Sequence, residues 1–168
     1  PSSLAFVVQP QNTNAGSVIS PAVQVAVLDS FGNTVPNATN PVTMAIGNNP
    51  GGSALSGTTT VSAVNGIATF SDLGLNNPGS GYTLTASSSL LSGATSSSFN
   101  VLNPFLVTNT NDSGPGSLRT AITTANSTPG PQTITFNIPG PAPFIIAPLT
   151  PMPAIADTLI IDGTTQAG

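Results

Sequence analysis

Along the first hundred positions, apolar residues come in short runs, each ended by Gly, Pro, Asn or Ser. "LAFVVQ" at Leu4–Gln9 opens the series. In "AVQVAVLD", Ala22–Asp29, Val23, Val25 and Val27 fall on one face and Gln24 on the other, because side chains alternate along a strand. "SFGN" at Ser30–Asn33 is a turn, with Gly32 and Asn33 able to take positive φ. Pro41–Ile46 predicts the next strand, followed by the loop "GNNPGG". Thr58–Val64 and Ile67–Leu73 flank Asn65–Gly66, and Asn-Gly between such runs is the strongest short-range hairpin signal. Tyr82–Ser87 and Ser96–Leu102 complete the set.

The pattern changes at "VLNPF", Val101–Phe105, where Asn103–Pro104 is an extended, helix-incompatible joint. "FLVTNTND" reads as a strand. In "SLRTAITTAN" the period lengthens: Leu118, Ile122 and Ala125 stand at i, i+4 and i+7, the stripe of a short amphipathic helix. Ser117 is its expected N-cap, behind the breaker "GPG". Pro129 and Gly130 require the helix to stop near Asn126. Thr133–Ile138, Phe144–Leu149 and Asp157–Gly163 then predict three strands between Pro-rich turns.

The expected fold is all-β in two domains. About seven strands with turns every 8–12 residues predict an immunoglobulin-like β-sandwich over residues 1–102, with a closed barrel as the alternative. The blocks "FVVQPQNTNAGSVISPAVQVAVLDSFGN", "NNPGGSALSGTTTVSAVNGIATFSDL" and "GYTLTAS" resemble the bacterial immunoglobulin-like domains repeated in large surface and secreted proteins, over roughly Leu4–Leu102. That resemblance implies a spacer or adhesion module. Residues 103–168, a strand, a capping helix and short strands, suggest the start of a short β-helical, solenoid-like segment. "VTNTNDSGPGSLRTAITTAN", "ITFNIPG" and "IIDGTTQAG" resemble the N-terminal cap and first coils of bacterial surface right-handed parallel β-helix proteins, the pectin-lyase-like group. The likeness implies a fold and little about activity.

Charge alters this picture most. The 168 residues hold five Asp, no Glu, no His, no Lys and a single Arg, for a net charge of -4. Charged residues are 4% of the chain, against about 25% in an ordinary soluble domain. Ser and Thr supply much of the remaining polarity, so hydroxyls and amides wet the surface. Such a chain lacks the Lys and Arg that nucleic-acid binding needs. With 38% hydrophobic residues in β-branched runs, disorder is not expected. No apolar run approaches the ~18 residues of a membrane span. The absence of Cys excludes disulfides and thiolate metal sites. Beginning at Pro1 without a signal-like segment, the chain is expected to be a mature or excised part of something longer.

Without His or Cys there is no Ser–His–Asp or Cys–His arrangement, and without Lys no Schiff base or isopeptide bond. Acid–base chemistry would fall to Asp alone. Asp157 and Asp162 are the closest pair, but a spacing of five puts them on opposite faces of an unbroken strand. They are expected to end the strand and shape its turns. Asp29 in "DSFGN" could offer one oxygen to Ca²⁺, though an Asx-turn is the simpler reading. Asp72 is expected at a solvated edge or turn. "NNPGGSALSG" lacks the Lys and the helix of a phosphate loop, and Tyr82 reads as a buried residue of a late sandwich strand. Sequons occur at Asn37, Asn111 and Asn126.

The lone cation, Arg119, follows Leu118 in the helix and can lay its guanidinium on backbone carbonyls or Asp112. Arg119, Asp112, Ser117, Leu118 and Ile122 are thus expected to be structural, with no catalytic, cofactor-binding or metal-binding residue and no cofactor. A sugar-carboxylate-binding Arg of a lyase is the alternative. The expected function is a non-enzymatic extracellular structural protein: a cell-surface stalk or adhesin module, or the subunit of a self-assembling filament. Its partners would be further copies, head to tail, or the rest of a larger surface protein, with glycans as an additional class. The alternative is a carbohydrate-binding adhesin or the N-terminal part of a polysaccharide-active enzyme.

Overall fold

The computed structural model describes residues 1–167. The protein is all-β with a single α-helix among the described residues. It divides into two compact units, Pro1–Leu102 and Asn103–Gly168.

The first unit holds twelve strands: β1 (Ser3–Val8), β2 (Thr13–Asn14), β3 (Val23–Leu28), β4 (Pro41–Ile46), β5 (Leu55–Ser56), β6 (Thr60–Ser62), β7 (Ile67–Phe70), β8 (Gly74–Leu75), β9 (Gly79–Tyr82), β10 (Leu84–Ser87), β11 (Ala94–Thr95) and β12 (Phe99–Leu102). They form a β1-β3-β7 sheet, a β11-β10-β4-β6 sheet, a β2-β12-β9 sheet and the small β5-β8 pair. None closes into a barrel among the described residues. The first two sheets share one core. Val23, Val25 and Val27 of β3 and Phe70 of β7 are buried with Val42 and Met44 of β4 and Leu84 of β10. The alternation read in "AVQVAVLD" therefore points at this core. Ala26 is buried as well, on the other side of β3.

Several strands are shorter than expected, and two connections are arranged differently. Tyr82–Ser87 is not one strand. Tyr82 pairs with Phe99 of β12, whereas Leu84–Ser87 pairs with β4, so the chain changes sheets at Thr83. Asn65–Gly66 does form the tight turn, with φ of 52° and 80° and the Val64 and Ile67 backbones bonded to each other. Both φ values are positive, as a type I′ turn requires. Yet β6 goes on to pair with β4 and β7 with β3. The turn is a corner between two sheets, because each flanking strand has a longer partner elsewhere. Outer faces are wetted by hydroxyl and amide pairs, such as Thr43 with Thr60 (3.0 Å) and Gln24 with Thr69 (3.3 Å), in place of charge.

The second unit holds β13 (Leu106–Val107), α1 (Leu118–Ser127), β14 (Gln132–Phe136) and β15 (Leu159–Asp162), then a 3₁₀ turn at Gly163–Thr165. The strands form a parallel sheet in the order β13-β14-β15. Parallel neighbours need crossovers. Here α1 makes the first, and an irregular strap, residues 139–158, makes the second. Ala121, Ile122 and Ala125 of α1 are buried with Val107, Ile134 and Ile138, and half-buried Leu118 packs against them.

Phe144–Leu149, expected as a strand, is not one; it lies within the strap. Its alternation is real: Phe144 and Ile146 pack on the core while Ile145 is 73% exposed. What is missing is a ladder. Pro141, Pro143 and Pro148 supply no N–H, and side chains meet the Leu149 and Ala156 N–H groups and the Thr150, Pro151 and Ala154 carbonyls.

Candidate functional site

The best-defined polar constellation lies where α1 begins. Gly114 and Gly116 adopt φ of 92° and 77°, which turns the chain sharply into the helix. Ser117, 1% exposed, caps it: its Oγ accepts the Thr120 N–H at 3.2 Å and donates to the Gly114 carbonyl at 2.8 Å. Arg119 sits in the first helical turn, where the helix dipole disfavours a cation by about 0.3–1 kcal/mol. Its neighbours reverse that balance. Nε donates to the Asp112 carbonyl (3.0 Å), Nη1 to the Pro151 carbonyl (2.7 Å), and Nη2 to the Thr150 carbonyl (2.8 Å) and Asp112 Oδ1 (2.7 Å). Hydrogen bonds from a charged donor contribute about 1.5–3 kcal/mol each, so the contacts outweigh the dipole.

Asp112 Oδ1 also accepts the Leu149 N–H at 3.0 Å. Arg119 and Asp112 therefore fasten the strap at three consecutive residues, Leu149, Thr150 and Pro151. Seven positions later, on the same helix face, Asn126 does the same: its amide nitrogen donates to the Ala154 carbonyl (2.8 Å) and its oxygen accepts the Ala156 N–H (2.9 Å). In the sequence Asn126 is legible only as a sequon and as the end of the helix. Its amide is spent on the strap, whereas Asn37 and Asn111 are exposed. No sequence signal pairs Asn126 with residues 28 and 30 positions away.

Arg119, first through its hydrogen bond and then the Leu149 N–H, holds the Asp112 carboxyl below its ordinary 3.8. A depressed folded value stabilises the native state above the unfolded pKa, and that contribution fades as pH falls through the folded value. The second unit should thus keep its melting temperature from pH 7 down to about 5, and that temperature should fall progressively as pH drops below about 4. Thermal unfolding followed against pH checks this, and a midpoint above pH 5 would contradict it.

The other carboxylates are also turned onto local partners. Asp29 accepts the Phe31 and Asn33 N–H groups, both at 2.9 Å, an Asx-type turn; the Asn33 N–H contributes most to lowering its pKa. Asp72 does more than face solvent. It accepts the Thr58 N–H (2.9 Å) and hydroxyl (2.8 Å), which lower its pKa and tie two loops together. Asp157 accepts the Thr158 N–H, and Asp162 accepts the Thr164 N–H and caps the 3₁₀ turn. Among the described residues no cluster of acids could hold a metal ion.

A cavity of about 380 Å³ opens beside the strap. Phe136, Ile138, Ala142, Pro143, Phe144 and Ile146 line it, with Gly163 and Gln166 at its polar side. The Gln166 amide is committed to the Ile138 backbone, accepting its N–H at 2.7 Å and donating to its carbonyl at 3.1 Å. The lining is therefore mostly apolar, without a free charge. It was not foreseen, because residues 136–146 and 163–166 meet only in the fold.

No protein-family model matches the chain, and no curated protein matches it. Among solved structures, a β-glycosidase from Bacteroides vulgatus is similar at a TM-score of 0.47 and 20% identity, over 60% of this chain and 14% of that one. The chain spans about one seventh of that protein's length. A likeness at this level bears on neither activity nor substrate.

Proposed function

We propose that the chain is a non-enzymatic extracellular structural module, a cell-surface stalk or adhesin segment or the subunit of a self-assembling filament. The observation that carries this reading is the use of Arg119. The one guanidinium of the chain makes four hydrogen bonds, three to backbone carbonyls and one to Asp112, and all of them brace the fold. Asp29, Asp157 and Asp162 are engaged in their own turns, Asp72 ties two loops together and Asp112 helps hold the strap, so each carboxylate serves the fold.

Within this proposal the first unit is an immunoglobulin-like sandwich. Supporting it, two sheets share a core, and fully buried Tyr82 donates its hydroxyl to the Asn77 carbonyl five residues upstream at 2.8 Å. That is the arrangement of the tyrosine corner in such domains. The second unit is proposed as the cap and first coils of a parallel β-helix. Its strands are parallel and α1 covers their apolar side. No helix of the described residues is long and apolar enough to cross a membrane.

Incubation with neutral and acidic polysaccharides tests the proposal. We expect no new reducing ends or unsaturated sugar products. Product release that disappears in Arg119→Gln, or in an Asp→Asn variant, would overturn it.

A further inference from the structure

One pole of the first unit displays three large apolar side chains on tight turns. Phe31 is 87% exposed, Val64 71% and Leu90 101%. The turns are neighbours. The Val27 N–H bonds the Gly66 carbonyl, Leu28 bridges Thr34, Ser2 donates to the Leu28 carbonyl, and Leu4 to that of Ser92. Adjacent strands lie about 4.8 Å apart, so the three tips span roughly 15 Å. Strand β1 runs away from this pole, and β2, where its course continues, pairs in parallel with β12 beside Leu102. The tips therefore lie opposite the strand end from which the chain leaves the first unit.

These tips are held in place. The Asp29 carboxylate accepts the N–H of Phe31 itself, Val64 is locked to Ile67, and Leu90 holds φ of 62° in a turn closed by the Leu91 N–H on the Ser88 carbonyl. A left-handed Leu with no burial has no packing gain to offset its backbone strain. Rigid apolar tips lose little entropy on docking. The first unit has no Lys or Arg, so nothing in it draws the pole to anionic headgroups or phosphates. What suits the tips is an uncharged, mostly apolar concavity, and this chain has one, the cavity beside the strap. At about 380 Å³ it exceeds the ~150 Å³ that holds a benzene.

We propose that Phe31 of one copy inserts into the Phe136–Phe144 cavity of another, with Val64 and Leu90 packing on its rim. This deepens the filament form of the proposed function and rests on it. Two different surfaces meet, so the contact is heterologous; it closes into a ring where the rotation between copies closes and otherwise propagates head to tail, as when a single exposed apolar residue finds a pocket elsewhere on its own molecule.

The test is sedimentation velocity over a concentration series of the whole chain. Phe31→Ser removes the knob at an exposed turn position. Gly163→Leu fills the cavity from its wall, where an added Cβ meets nothing within 4 Å. Circular dichroism checks that both variants fold. The wild type should grow beyond a dimer, each variant alone should stay monomeric, and an equimolar mixture should stop at a one-to-one dimer, since each partner keeps one intact surface. A monomeric wild type, a mixture without dimers, or Phe31-dependent flotation on phosphatidylcholine vesicles in place of self-association would overturn the contact. A monomeric wild type that also releases no sugar would leave the non-enzymatic module reading in place.

Discussion

Arg119→Gln should lower the stability of the second unit by about 2–3 kcal/mol, read as an earlier thermal transition of that unit alone. Three carbonyls, of Asp112, Thr150 and Pro151, lose a charged donor, and a bond of that kind contributes about 1.5–3 kcal/mol. The three losses do not add in full, because they belong to one hydrogen-bond network and the Arg119 side chain is 17% exposed to water. Arg119→Lys should recover only part of the loss. An ammonium keeps the charge but not the planar fork that meets Asp112 and two successive strap carbonyls at once. Calorimetry on the three proteins checks the order wild type, Lys, Gln.

Tyr82→Ala should cost the first unit about 3–5 kcal/mol, as truncating a buried aromatic does. The ring is wholly buried, lies 6.1 Å from the ring of Phe99, and its hydroxyl holds the Asn77 carbonyl. Tyr82→Phe separates the two contributions. It keeps the packing and removes only the hydroxyl, for about 1 kcal/mol. Denaturant unfolding of both variants measures this. Equal losses would mean that the hydroxyl, and not the ring, holds the loop.

Local periodicity carried much of the fold. Val23, Val25 and Val27 announced a half-buried strand, and Ser117, Leu118, Ile122 and Ala125 announced a capped helix, because each signal lies within one or two turns of chain. Arg119 with Asp112 was legible for a different reason: a chain with one cation offers few alternatives for its partner. What escaped depends on contacts distant in sequence. Phe144–Leu149 has the alternation of a strand, but no neighbouring strand pairs with it, and no local pattern encodes a missing partner. The change of sheet at Thr83 is equally silent, since Tyr82 and Leu84 both look like strand residues. Asn126 and the cavity belong to the same class, because their other halves lie about 30 residues further on.

The chain's single cation fastens an irregular segment to the start of α1. Amide hydrogen exchange in wild type and Arg119→Gln, at a temperature where both remain folded, tests it most directly. Residues 144–156 should exchange faster in the variant, with β13 and β14 unchanged. Exchange that stays the same throughout, or quickens equally in the strands, would contradict it.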